Sequence, residues 1–441
     1  MSLLPSQASL IPGLTLERGD PASRVAEHAL AVGDLLAVEF ELEQYWLEGA
    51  PSVALVALYA PTSAGTQLVV TDQALVVTES SVDAQFQAWA EQGQCAVVEI
   101  GAALPLTPVV VDKPWGREIW FSGIEQRGLS GVRSTVVVAP QSTASADGVT
   151  PIPWLQAAMP DVALGGRDDL VLLKILDPVS EPVVGDLYFE LHQRKREVYV
   201  VTHVDTKAWP DGVGYMRYGF DPQKIDEAGS PDAFKQQYLA AVLSYESTRR
   251  EIDTLSTDPD ETLLERERRE RESMDSFSAY KSLRVGDVVR VPLQLPHSLL
   301  HGVRTIEFQT PVYERMILSF AQRVLTQPHW DTEAALASMQ LLPPQDEPAV
   351  VVNESDGVLV QQIVDFDEFY VLRFIMEAGS SVSLPASPVV RVGMAVVGQL
   401  LLDGQVLAAE EAVLVPRNRV QNTVLEASIE GAVFLLAIPA H

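Results

Sequence analysis

The chain has 441 residues, 47% apolar and 21% charged, a balance ordinary for a globular protein with room for two or three domains. A formal net charge of −29 repels nucleic-acid phosphates at long range, and no apolar run is long enough to span a bilayer, so neither a nucleic acid nor a membrane is an expected partner. The single cysteine, Cys95, rules out an intrachain disulfide framework and a cysteine-based zinc cluster. Residues 1–7 lack the basic-then-apolar pattern of a leader, which makes the cytoplasm the expected compartment.

In chain order, apolar and β-branched runs at 35–42, 52–58 and 67–70 predict strands. Ser81 caps a predicted helix through Trp89, with Asp83 in its favourable first turn. These elements make residues 1–108 an additional α/β module that carries no recognisable chemistry.

The chemistry begins near Gly185. Glu190 and His192 are two residues apart, so on a strand they project from the same face. A four-residue turn, 193–196, then precedes a predicted strand at 197–202 that opens with Glu197. A hairpin there would return Glu197 across the sheet towards His192. About a hundred residues later, Gly286, Pro292 and His297 mark a strand, a turn and a histidine. Two carboxylates and two imidazoles gathered inside a β-scaffold suit a divalent cation. Taken singly, each motif is common: Glu-x-His fits a solvated strand face, and a lone histidine fits a satisfied core position. Lys113, Arg117, Lys174, Lys195, Arg304 and Arg315 lie near the motifs in sequence. They are the groups from which an anionic substrate's pocket would be built.

Between the two halves, residues 221–284 change character. Phe234, Tyr238, Ala241, Val242 and Tyr245 repeat at helical spacing over 232–255. Residues 261–272 alternate acid and base, with Glu265–Arg269 and Glu267–Arg271 four apart, which reads as a solvated helical face. A proline-rich linker at 343–348 leads to short predicted strands at 358–363, 370–375, 389–397, 399–402, 412–415 and 432–437, a second barrel or sandwich. With no histidine before His441, this region cannot repeat a histidine-containing metal site.

Together the two halves resemble the paired motifs of a metal-binding cupin barrel, and the region from about 110 onward resembles the type I phosphomannose isomerases (mannose-6-phosphate isomerases). The likeness runs through Lys113-Pro-Trp115-Gly116, Leu173-Lys174-Ile-Leu-Asp177, Glu190-Leu-His192, Lys195-Arg-Glu197, 288–297, Ile306-Glu307-Phe-Gln309 and Tyr313-Glu-Arg315. It implies a mainly β fold of two cupin-type β-barrels (jelly rolls), with an inserted helical subdomain and the N-terminal α/β module. It also implies a metal-binding cupin domain at 109–342, with its helical insertion at about 221–284, and a degenerate, ligand-free cupin domain at 349–441. Glu190, His192, Glu197 and His297 fall on the family's metal ligands, with zinc the expected ion and iron or manganese the alternatives. Lys195 and Arg315 fall on the family's catalytic lysine and arginine; Glu307 is a further catalytic candidate, and Lys174 and Trp115 are the substrate-binding candidates.

The activity implied is a metal-dependent aldose–ketose isomerisation of a sugar or sugar phosphate through an enediolate. The alternatives are a non-catalytic sugar-binding cupin or a different, oxygenase-type metal-cupin enzyme. Open sheet edges leave room for an oligomer. The chain departs from the pattern at six places: Glu190 replaces a glutamine, Gln193 a proline, Gln294 a glycine and His301 an asparagine, the loop before Glu197 is much shorter, and the Tyr313–Arg315 segment is shorter by two residues.

Overall fold

The structure is a computed structural model that describes residues 2–6, 11–135, 148–159, 164, 170–324, 327–417 and 423–440; Met1, Gln7 and the terminal His441 lie outside them. It is mainly β, with the cupin-like sandwich architecture. The chain divides into two compact units, one of residues 1–109, 120–173 and 349–441, the other of residues 110–119 and 174–348. No helix among the described residues is long and apolar enough to cross a membrane.

The second unit carries both motif halves. A six-stranded sheet runs in the order Val288–Val291, Glu197–Val204, Val303–Gln309, Leu172–Pro178, Gly116–Trp120 and Val109–Lys113. A five-stranded sheet runs Ser278–Leu283, Gly214–Phe220, His297–Leu299, Phe189–Leu191 and Met316–Ser319. Alternate residues of each strand point inward. Tyr199, Val201, Val289, Val291 and Val303 from one sheet therefore meet Met216, Leu283, Leu299 and Ile317 from the other in one apolar core.

The turn at 193–196 is not a hairpin. The Glu190 strand pairs with the His297 and Met316 strands, whereas the Glu197 strand pairs with those of Val288 and Val303 in the other sheet. Residues 192–196 thus form an arch that crosses between the sheets. Both faces of the Glu197 strand are buried, and its two neighbours already occupy its hydrogen-bonding edges, so the preceding strand has to join the opposite sheet. Gly185 sits where the chain enters this region, and a Cβ there would lie 2.7 Å from that of His301. Only glycine fits so close an approach.

The insertion is helical as the periodicity predicts, with Pro222–Glu227, Pro231–Thr254 and Glu261–Asp275 capped by Asp221, Ser230 and Asp260. Each cap side chain accepts a backbone N–H of the first turn. Phe234, Tyr238, Val242 and Tyr245 pack with Phe189, Leu191, Phe220 and Leu318, so the helices cover the outer face of the five-stranded sheet. The third helix buries only Met274, as expected of a solvated charged face. Its ions pair as Glu267–Arg271 at 3.4 Å and, instead of Glu265–Arg269, as Glu265–Arg268. The strand Ser278–Leu283 begins inside the stretch read as helical.

In the first unit, Leu14–Arg18, Leu35–Leu42, Val53–Pro61, Thr66–Thr71 and Val98–Glu99 form a five-stranded sheet with one parallel pair. Phe86, Trp89 and Ala90 of the helix Val82–Gly93 pack on it, and Ser81 caps that helix. An eleven-stranded sheet joins Leu104–Thr107 to Ala412–Val415 and so brings early and late segments together. Two strands read at 389–397 and 399–402 are one, Arg391–Leu402, which passes through a register shift at Gly398. Its φ of +75° lets the strand bend where a glycine first reads as a break.

Candidate metal centre

Glu190 and His297 are direct cross-strand partners, which places their Cβ atoms about 5 Å apart on one face. His192 follows Glu190 by two residues and shares its direction. Glu197 approaches from the opposite sheet. The structure thus gathers all four residues read from the sequence. Possible ligand atoms of Glu190, His192 and His297 lie within 4.8 Å of one another. Glu197 Oε2 is 3.3 Å from His192 Nε2 and 3.3 Å from His297 Nε2, and Glu190 Oε1 is 3.6 Å from His192 Nε2. Donor atoms placed tetrahedrally about 2.1 Å from one cation stand about 3.4 Å from each other, so this spacing is that of a ligand set.

The hydrogen bonds point the same way. His192 Nδ1 lies 2.8 Å from the Glu314 carbonyl oxygen, and His297 Nδ1 lies 3.0 Å from that of Leu295. A carbonyl only accepts, so each Nδ1 carries the proton and each Nε2 presents a lone pair to the centre. His192 Nε2, His297 Nε2 and Glu190 Oε2 are buried with no hydrogen-bond partner among the described residues. Lone pairs and carboxylates facing one another across 3.3 Å repel unless a proton or a metal cation stands between them. The residues present fit a divalent cation.

Lys195 lies on the arch ahead of the strand, its ammonium paired with Glu197. Lys174 Nζ lies 3.1 Å from Glu307 Oε1, and both are buried. Glu307 is the cross-strand partner of Tyr199, and Gln309 that of Glu197. The Arg315 guanidinium stacks 4.6 Å over the Tyr188 ring. Trp115, 1% exposed, lies within the apolar core. Three of the six nearby cations are held in other ion pairs: Lys113 with Glu118 at 3.1 Å, and Arg117 and Arg304 each 2.7 Å from Asp177. His301, where the family pattern has asparagine, binds Asp186 through Nδ1 at 2.7 Å and stacks on Trp209, a structural role.

Sequence reasoning missed two groups. Tyr199 donates its hydroxyl to Glu197 Oε2 at 3.1 Å, and its place two residues after Glu197 on a strand was the available signal. Glu314 grips the arch; it lies inside the Tyr313–Arg315 segment already singled out, but no spacing there marks its role.

Burial disfavours the Glu197 charge, but His192 and Lys195 outweigh it and hold this carboxyl well below its ordinary pKa. Burial also lowers the His192 pKa, against the pull of Glu197. For both groups the unfolded chain binds a proton before the folded one does, so stability is present above the ordinary values of 6.5 and 4.5 and is lost as pH falls through each folded value. Melting temperature of the metal-free protein should therefore fall in two steps below these values, and His192→Phe should flatten the upper step.

Gln294 has a left-handed φ of 65° at the position where the pattern has glycine. That conformation costs a side-chain-bearing residue about 1–2 kcal/mol, against a smaller unfolded-chain entropy loss for glycine. Gln294→Gly should raise unfolding stability by about 0.5–1 kcal/mol in denaturant titrations and leave metal affinity unchanged.

No protein-family model and no curated protein matches the sequence. The fold is similar to the crystal structure of mannose 6-phosphate isomerase from Bacillus subtilis (TM-score 0.54, 13% identity, 76% of this chain and 99% of that one). A mutant phosphomannose isomerase from Salmonella typhimurium gives a TM-score of 0.53 at 12% identity, over 77% of this chain and all of the other. A zinc-bound mannose 6-phosphate isomerase gives 0.54 at 12% identity, again over 77% of this chain. At this identity the likeness is one of fold.

Proposed function

We propose that the protein is a metal-dependent aldose–ketose isomerase acting on a sugar or sugar phosphate, similar to mannose-6-phosphate isomerases. The observation that carries this reading is the convergence of two buried Nε2 atoms, without a hydrogen-bond partner among the described residues, with the carboxylates of Glu190 and Glu197 at ligand-to-ligand distances. His192, His297, Glu190 and Glu197 would hold the ion. The chemistry such an ion supplies is polarisation of the sugar carbonyl and stabilisation of the negative charge that develops in the enediolate.

The remaining steps fall to side chains. Lys195, one arch residue away from the ligand strand, would carry the proton between the two carbons. Burial and the charge of Glu197 hold the Glu307 carboxyl well above its ordinary pKa, although Lys174 opposes them, so Glu307 is suited to exchanging a proton with a sugar hydroxyl. Arg315 would take a hydroxyl or phosphate in bidentate fashion. Lys174 would line the inner end of the substrate space, and Trp115 would back it from the apolar core. In this reading residues 109–342 form the catalytic cupin domain, residues 349–441 a ligand-free cupin domain, and residues 1–108 an accessory module.

Purified protein should contain about one divalent metal ion per chain, and the metal-loaded form should convert mannose 6-phosphate to fructose 6-phosphate, or free mannose to fructose. A metal-loaded protein inert towards phosphorylated and free aldoses would remove the isomerase reading. Two carboxylates with two imidazoles also suit iron or manganese, which favours an oxygenase-type cupin as the second reading. A protein purified with iron that consumes oxygen without isomerising aldoses would select it.

A further inference from the structure

We propose that Glu314 is a positioning residue that holds His192 in its ligand orientation by clasping the arch from which His192 extends. The proposal rests on the reading of His192 as a ligand. Glu314 meets the arch at three successive residues. Its main-chain oxygen takes the Nδ1–H of His192 at 2.8 Å. Its carboxylate takes the N–H of Gln193 at 2.9 and 3.1 Å, and that of Arg194 at 3.0 Å. From the other side, Gln294 donates its N–H to the His192 carbonyl at 2.7 Å. The far end of the arch is pinned by Arg196, whose N–H reaches Thr310 Oγ1 at 3.2 Å and whose carbonyl accepts the Thr310 N–H at 3.1 Å.

These contacts divide the work. The carbonyl of Glu314 fixes the tautomer, since it can only accept and so keeps the proton on Nδ1. The carboxylate fixes the distance. A charged acceptor spanning two consecutive N–H groups makes bonds stronger than neutral ones, and it holds the arch against the 314 main chain so that imidazole and carbonyl stay in register. Gln193 supplies an N–H that needs an acceptor, and Glu314 is that acceptor. Without the carboxylate, both N–H groups turn to water and the His192 ring gains an alternative tautomer with Nε2 protonated and useless as a donor atom.

The test combines two readouts on Glu314→Ala and the conservative Glu314→Gln. In metal-free protein, 15N imidazole spectra should show His192 wholly in the Nδ1–H tautomer, a tautomer mixture in Glu314→Ala, and an intermediate pattern in Glu314→Gln. Zinc affinity, by chelator competition, should fall about 10–100-fold in Glu314→Ala and less in Glu314→Gln, while the unfolding midpoint of the metal-free protein changes little. In a His192→Ala background, Glu314→Ala should cause no further loss of affinity. A wild-type tautomer pattern in Glu314→Ala, or an equal affinity loss with and without His192, would overturn the proposal. A wild-type protein that binds no metal would sink the isomerase reading instead, and the metal-free spectra would still decide the role of Glu314.

Discussion

His297→Ala should strip the protein of its metal ion while leaving the fold in place. His297 stands in the short strand His297–Leu299, between the Gly214 and Glu190 strands, and its Nε2 faces the Glu197 carboxylate at 3.3 Å. No other described histidine is placed to replace it, because His301 is held by Asp186 and His192 already serves the centre. Loss of a partner that merely orients a ligand costs about 10–100-fold in affinity, so loss of the imidazole itself should cost more than about 100-fold. His192→Ala should behave alike. Glu190→Gln is the control: it keeps an oxygen at the same place, so the ion should stay. Metal content measured on gel-filtered protein, with far-ultraviolet circular dichroism to confirm folding, checks all three. Full metal content in His297→Ala would refute the assignment of all four ligands.

Phe220→Ala should cost about 3–5 kcal/mol of unfolding stability, as expected for an aromatic side chain with no exposed surface. Phe220 ends the Gly214–Phe220 strand, from which the chain leaves for the helical insertion. Its ring lies 5.8 Å from Phe189, 5.1 Å from Phe234 and 4.8 Å from Tyr238, each at a steep interplanar angle. The edge-to-face contacts add to the buried area. Phe189 immediately precedes Glu190, so the cavity opens beneath the ligand strand on one side and the long helix Pro231–Thr254 on the other. Denaturant unfolding should show the loss, and metal affinity should fall with it. A small change confined to the helices would mean that the insertion and the ligand strand do not share a core.

The sequence was most legible where one local rule sufficed. Period-two spacing placed Glu190 and His192 on one face, Ser81 announced its helix, and the three-and-four repeat from Phe234 to Tyr245 gave the buried side of the long helix. It was misleading where geometry depends on distant partners. A short turn between apolar runs reads as a hairpin, yet residues 192–196 form a crossing, because the Glu197 strand is already flanked by strands that follow about a hundred residues later. Gly398 read as a break because its bend within one long strand is set by pairing with Ala432. Lys195 and Glu197 were associated through motif spacing, and the structure makes the pair an ionic contact across the start of a strand. Glu314 was passed over within the Tyr313–Arg315 segment, since the donors its carboxylate takes are main-chain N–H groups that any residue supplies.

The crossing at 192–196 has a mechanical consequence. Glu190 and His297 belong to one wall of the sandwich, Glu197 to the other, and His192 to the arch that joins them. An ion seated among them would act as a rivet through both walls, so prising the sheets apart would first require its release. Occupancy and rigidity would then rise together: at a free concentration one hundred times its dissociation constant the ion would add about 2.7 kcal/mol against opening. Slower amide exchange should appear in the strands on both sides at once, including those that never touch the ion.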